Sequence, residues 1–129
     1  MSEQVQELAV LRELYAARLA GQVDRVAALF TADASFRIAG SSAGKPISIT
    51  AHGAAEVRTW LTMLVKSFRL ADQEILTMIL NGQQAAVHWR ASIHSRITGV
   101  TVPTELVDVI ELRAQRISSY TELFVPSAA

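Results

Sequence analysis

There is no cysteine in these 129 residues. That removes disulfides, thiolate nucleophiles and any Cys-ligated zinc or iron–sulfur centre. Excess charge is missing too. Twelve basic residues balance twelve acidic ones, so nothing draws in nucleic acid or an anionic membrane. No apolar run approaches the length of a bilayer span. The first residues, MSEQVQEL, lack the basic and apolar regions of a secretory signal. A soluble, cytoplasmic protein is expected. No P-loop, GxGxxG or GxSxG pattern is present. The three histidines have no ligand spacing, and His88 and His94 would stand ~20 Å apart on an extended strand. No metal and no cofactor are expected. What is present is an ordinary globular balance, half hydrophobic and 19% charged, read as one domain over residues 1–129 with a sizeable core.

In chain order, apolar residues at 8, 11, 15 and 19, widened by Val10 and Leu14, mark one helical face over Val5 to Ala20, stopped by Gly21. A short helix, Val23 to Phe30, follows. Ser35 to Ala39 reads as a strand, Gly40 to Pro46 as a flexible loop, and Ile47 to Thr50 as a returning strand. Glu56 to Arg69 is a helix on the spacing of Val57, Trp60, Leu61, Leu64 and Phe68. Leu70 to Leu80 is apolar on both faces, which predicts a central strand. Asn81-Gly82 is a hairpin signal. Ala85 to Arg96 alternates, with Val87, Trp89, Ala91 and Ile93 on one side and His88, Arg90, His94 and Arg96 on the other. Glu105 to Phe124 reads as two more strands. Helices first and an antiparallel meander after is an α+β plan. A strongly curved antiparallel sheet around three helices would form a cone-shaped α+β barrel enclosing an apolar pocket.

The stretch Leu29-Phe30-Thr31-Ala32-Asp33-Ala34, the turn His52-Gly53-Ala54-Ala55-Glu56-Val57, and the strands Val107 to Ile110 and Ile117 to Phe124 carry a resemblance. Together they resemble the nuclear-transport-factor-2-like, or cystatin-like α+β barrel, superfamily, in its SnoaL-like and ketosteroid-isomerase-like branch. The resemblance covers nearly the whole chain. It implies the cone fold, a small-molecule pocket and often a dimer. It does not imply one reaction, because this fold hosts enzymes, binding modules and assembly domains. In ketosteroid isomerases a catalytic Asp falls where this chain has Ile38, and the oxyanion-hole Tyr falls at Leu14. Only the second oxyanion-hole acid has a counterpart, Asp108. Limonene-epoxide-hydrolase-like relatives use an Arg and two Asp residues. Glu122 stands where one acid would be, while Arg90 lies on the polar side of its strand.

Asp108 sits among Leu106, Ile110 and Leu112, where lost solvation should raise its pKa and make it a proton donor. The alternative is an acid satisfied by a helix arginine such as Arg18. For Glu122 the turn decides. A two-residue turn at Ala114-Gln115 would put Thr121 beside Asp108; a three-residue loop would put Tyr120 and Glu122 on that face. Asp108 and Glu122 are the candidate catalytic pair. Leu14, Tyr15, Trp60, Trp89, Tyr120 and Phe124 are the candidate substrate-binding residues, although buried aromatics at such spacing are commonly core. The function expected is an acid/base isomerase, cyclase or hydrolase acting on a small apolar ligand. The alternative is a non-catalytic ligand-binding or dimerisation module. The outer sheet face mixes Val107 and Val109 with His88, Arg90, Glu105 and Glu111, which suits cross-strand charge pairs and a homodimer.

Overall fold

A computed structural model describes residues 3–42 and 44–127. Its elements are α1 (Glu3–Ala20), α2 (Val23–Ala27), β1 (Phe30–Ser42), β2 (Lys45–His52), α3 (Gly53–Ser67), β3 (Phe68–Asn81), β4 (Gln84–Ser95), β5 (Thr101–Arg113) and β6 (Arg116–Pro126). The six strands form one sheet in the order β2-β1-β6-β5-β4-β3. This is the expected α+β plan, with corrections. The sheet is open, with β2 and β3 as its edges, and it is mixed, because β1 and β6 run parallel. No helix is long and apolar enough to cross a membrane among the described residues.

α1 buries Leu11, Leu14, Tyr15 and Ala17. Leu19, placed on that stripe by spacing, is 45% exposed; the buried face runs 11, 14, 15 instead. The helix ends where Gly21 takes φ +70 and its N–H meets the Arg18 carbonyl at 3.1 Å. α2 is shorter than its periodicity suggests, because Phe30 already begins β1. α3 starts and ends slightly before the expected span. The β1–β2 hairpin is longer than expected. Its strands run to Ser42 and from Lys45, absorbing most of the Gly40 to Pro46 stretch that composition marks as loop; Ala43 lies outside the described residues. In the β3–β4 hairpin Asn81 pairs with Gln84, so the turn is Gly82-Gln83, with Gly82 at φ +62.

β3 is the largest correction. Its apolar residues on both faces predict a central strand, yet it is an edge strand with Ile75, Leu76 and Ile79 about half exposed. Two register shifts, between Ala71 and Glu74 and between Ile75 and Thr77, interrupt its pairing, and Asp72 takes φ +53. Such irregularities are common at sheet edges, where they discourage further strand pairing.

The inner face of the sheet is built in rows. One runs Ala85, Ile110, Tyr120, Phe36, Ala51 across β4, β5, β6, β1 and β2. The next runs Val87, Asp108, Glu122, Ile38, Ile49. Two carboxylates therefore stand side by side within an otherwise aliphatic row.

Candidate active site: a buried two-carboxylate network

How Glu122 comes to face Asp108 is decided by a bulge. The β5–β6 turn is the two-residue Ala114-Gln115, both at positive φ (49 and 63), with Arg113 paired to Arg116 and Leu112 to Ile117. Extended unbroken, that register places Thr121 opposite Asp108. Between Glu111 and Leu112 the register shifts, Glu111 pairs with Ser119, and Ser118 becomes the extra residue. From there outward Ile110 faces Tyr120 and Asp108 faces Glu122. A side chain switches face with every one-residue shift. The two-residue turn and the inward Glu122 thus coexist, which neither expected alternative allows. The Ser118 hydroxyl donates to the Glu111 carbonyl at 3.2 Å across the bulge.

Asp108 is fully buried and Glu122 is 5% exposed. Oδ2 of Asp108 meets three groups: the Tyr15 hydroxyl at 2.6 Å, the Trp89 Nε1–H at 2.8 Å and the Tyr120 hydroxyl at 2.8 Å. Its Oδ1 is buried with no partner. Glu122 is held by Arg18, whose Nη1 donates to Oε2 and whose Nη2 lies 3.4 Å from Oε1. The Tyr120 hydroxyl is 2.7 Å from Glu122 Oε2, and Arg18 Nη1 donates to that hydroxyl at 2.8 Å. The Arg18 guanidinium lies over the Trp89 ring, 5.1 Å from its centroid. Arg18 therefore bonds Glu122 and Tyr120, not Asp108.

The proton inventory requires one of the two acids to hold a proton. Tyr120 has one hydroxyl proton and cannot donate to both carboxylates. All three of its contacts are satisfied if Asp108 is protonated on Oδ2 and donates to Tyr120. Tyr120 then accepts from Arg18 and Asp108 and donates to Glu122. Burial, with the charge of Glu122 beside it, raises Asp108 well above the ordinary carboxylate range. Burial would raise Glu122 as well, but the attraction and hydrogen bonds of Arg18, together with the bonds to Asp108 and Tyr120, hold it below that range. A partnerless Oδ1 also costs less on a neutral acid than on an anion. Burial pushes the hydroxyls of Tyr15 and Tyr120 up, so both stay protonated donors.

This gives a pH prediction. Asp108 binds its proton more tightly folded than unfolded. As pH rises above the unfolded value near 3.8, the unfolded chain loses this proton first, and stability falls until the folded group ionises. Asp108→Asn mimics the neutral acid and removes that slope. Urea unfolding across pH should show the variant gaining on wild type as pH rises above that value; parallel curves would mean that Asp108 is ionised in the folded protein.

A cavity of ≈ 10 Å³ touches this network, room for about one water. Arg18, Tyr120 and Glu122 form its polar end, and Leu14, Val26, Phe30, Phe36, Leu61 and Leu64 the rest. Leu14 and Tyr120 thus line it. Tyr15 and Trp89 instead hold Asp108 from behind. Trp60 and Phe124 are half-buried against the core, outside this lining. Trp60 is one residue, about a hundred degrees of helix, from Leu61. Phe124 covers Gly40, where a Cβ would come within 2.7 Å of its ring. A larger hollow of ≈ 130 Å³ beside α2 and α3 has Arg58 as its charged residue, already paired with Asp24. On the outer face Arg90 bonds Glu74 of β3, and His88 pairs with Glu105.

Residues 11–120 match the profile of the SnoaL-like domain, and the chain belongs to that family. Among solved structures it is similar to an NTF2-like protein from Burkholderia xenovorans LB400, at TM-score 0.77 and 20% identity over 97% of this chain and 92% of that one. It is similar to the epoxide hydrolase/cyclase-like enzyme SalBIII, described for pyran ring formation in the polyether salinomycin, at TM-score 0.76 and 20% identity over 97% and 95%. An LEH-like epoxide hydrolase from M. tuberculosis aligns at TM-score 0.72 and 14% identity over 94% and 84%. At these identities the likeness defines the fold. No curated protein matches the chain.

Proposed function

We propose that this protein is an acid–base enzyme that takes a small, largely apolar molecule between its helices and its sheet, and acts as an isomerase, cyclase or hydrolase. The observation that carries this reading is the pair of adjacent buried carboxylates bridged by one hydroxyl. Glu122 is the ionised acceptor at the cavity. When substrate displaces Glu122 from the Tyr120 hydroxyl, that hydroxyl turns its proton to the substrate, and Asp108 refills it from behind. When Glu122 takes a proton from the substrate or from a water, and Tyr120 delivers one, Glu122 is left neutral and Asp108 ionised. One proton hop from Glu122 through Tyr120 to Asp108 resets the site. Tyr15 and Trp89 position Asp108 by holding its Oδ2. The relatives named for epoxide hydrolysis and cyclisation support an acid–base class without fixing the substrate.

The test is turnover of cyclic enones and apolar epoxides in D₂O, scored by deuterium incorporation and by diol or cyclised product. Glu122→Gln and Tyr120→Phe should each lower the rate ~10²–10⁴-fold. Variants that retain wild-type rates would end the acid–base assignment. A second reading, a non-catalytic ligand-binding or dimerisation module, is favoured by one observation: the cavity beside the carboxylates has room for about one water. Ligand binding without turnover across the panel would select it.

We also propose that the outer sheet face pairs with a second copy of the chain. Ile79, Val109, Leu123 and Val125 stand 42–67% exposed on that face, with Val107 opposite Leu123 and Glu105 opposite Val125 in register. The ion pairs of Arg90 with Glu74 and His88 with Glu105 lie alongside. An apolar stripe edged by both charge signs is self-complementary under a two-fold axis. Sedimentation should give a dimer that Val109→Asp combined with Leu123→Asp converts to monomer. A wild-type monomer at high concentration would end this proposal.

A further inference from the structure

We propose that Arg18 binds the substrate's oxygen, and that the site consequently selects a neutral molecule bearing one acceptor oxygen over an anion or a cation. This rests on the acid–base reading above and names the ligand class of that same site.

Guanidinium carries five N–H donors. Arg18 uses three of them, Nη1 on Tyr120 and Glu122 and Nη2 on Glu122, leaving Nε–H and one Nη2 proton unspent. The side chain is 14% exposed and borders the cavity. Its plane is fixed on two sides, by Glu122 and by the Trp89 ring. A donor fork held in this way loses little freedom when an oxygen arrives, so the bond forms at low entropic cost.

A buried arginine ordinarily suggests a carboxylate ligand. Here its charge is already answered. Arg18 contributes one positive charge, Glu122 beside it one negative, and Asp108, fully buried and without a cation of its own among the described residues, is the neutral acid. A carboxylate ligand would bring a second anion against Glu122, in a cavity otherwise lined by aliphatic and aromatic side chains. An ammonium would bring a second cation against Arg18. Either leaves an unbalanced charge out of water. A ketone, epoxide or ether oxygen does neither. It accepts from Arg18 while its carbon skeleton replaces contacts of Leu61 and Leu64. Arg18 would polarise the bond to that oxygen, next to the Tyr120 proton.

The experiment uses the full chain, labelled with ¹⁵N, and four probes that share a five-membered ring: cyclopentanone, cyclopentanecarboxylate, cyclopentylammonium and cyclopentene. The resonances followed are Arg18 Nε–H and Trp89 Nε1–H. Cyclopentanone should bind at least ~10-fold more tightly than the other three (a factor of ten in an equilibrium constant) and should be the probe that moves Arg18 Nε–H. Carboxylate binding equal to or tighter than the ketone overturns the proposal, as does ketone binding that leaves Arg18 Nε–H unmoved. Equal binding of ketone and alkene overturns it while leaving the apolar-ligand reading intact. Binding of none of the four overturns both. Arg18→Met alone strands Glu122, so the control is the Arg18→Met/Glu122→Gln double variant, checked for folding by circular dichroism. In it the preference for ketone over alkene should vanish, and a preference that persists there also overturns the proposal.

Discussion

Deleting Thr121 is expected to dismantle the site while leaving every one of its side chains in the sequence. With the bulge at Ser118 kept, Tyr120 stays opposite Ile110, but Glu122 falls opposite Val109 on the outer face and Leu123 takes its place beside Asp108. Arg18 would then lose its anion inside an apolar core. A buried charge left alone costs about 3–5 kcal/mol, so the deletion should cost at least that, read by thermal melting and near-ultraviolet circular dichroism. Deleting Ser118 removes only the extra residue: Ser119 still meets Glu111 and Glu122 still meets Asp108, so this deletion, like Ser118→Ala, should cost only about 1 kcal/mol. A Thr121 deletion as stable as wild type would mean that the strand register does not set the site.

Glu122→Leu should destabilise by about 3–5 kcal/mol, a fall in melting temperature of roughly 12–20 °C for a chain of this size. The loss comes less from the missing bond than from the Arg18 guanidinium that remains. It would lie under α1 with its Trp89 contact and its bond to Tyr120, but with no anion. Adding Arg18→Met should restore most of the stability, because an apolar pair replaces an ion pair at little net cost. Thermal and urea unfolding of both single variants and the double variant form the cycle. If the double variant were as unstable as the two losses summed, Arg18 and Glu122 would not be coupled.

The wild-type pH profile should carry the complementary signature of Glu122. Its folded pKa lies below the ordinary glutamate value of 4.5, so the stability it contributes is present above that value and is lost as pH falls through the folded one. The Asp108 contribution has the opposite sign.

Much of this was legible in the sequence. The positions of α1 and α3, the alternation of β4, and the oddity of an acid between Leu106 and Ile110 follow from period and burial alone. Three features did not follow. β3 reads as central because Ile75, Leu76 and Ile79 are apolar, and period cannot tell a residue buried in the sheet from one exposed at its edge. The bulge at Ser118 uses neither glycine nor proline. It explains why the alternation of β6 looked ambiguous: Ile117 and Tyr120 are both buried although they are three residues apart. Arg18 reads from the sequence only as a partner for Asp108, whereas it bonds Glu122. Its spacing carried the signal, since positions 11, 14, 15 and 18 share one helical face, and a cation at the end of that stripe points where the leucines point.

The place of β6 in the sheet has a kinetic consequence. It follows β5 in sequence, yet it lies between β1 and β5. Until β6 is inserted, the β1–β2 hairpin and the β3–β4–β5 meander are separate pieces with no strand pairing between them. Joining them means closing a loop from β1 to β6 of some eighty residues, given the pairing of Phe36 with Tyr120, and contacts so distant in sequence slow folding. The strand that arrives last carries Tyr120 and Glu122, so the polar network and the continuous sheet form in the same step. A ribosome-bound intermediate lacking β6 would expose two apolar strand edges, and it would hold Asp108 with no Glu122 beside it.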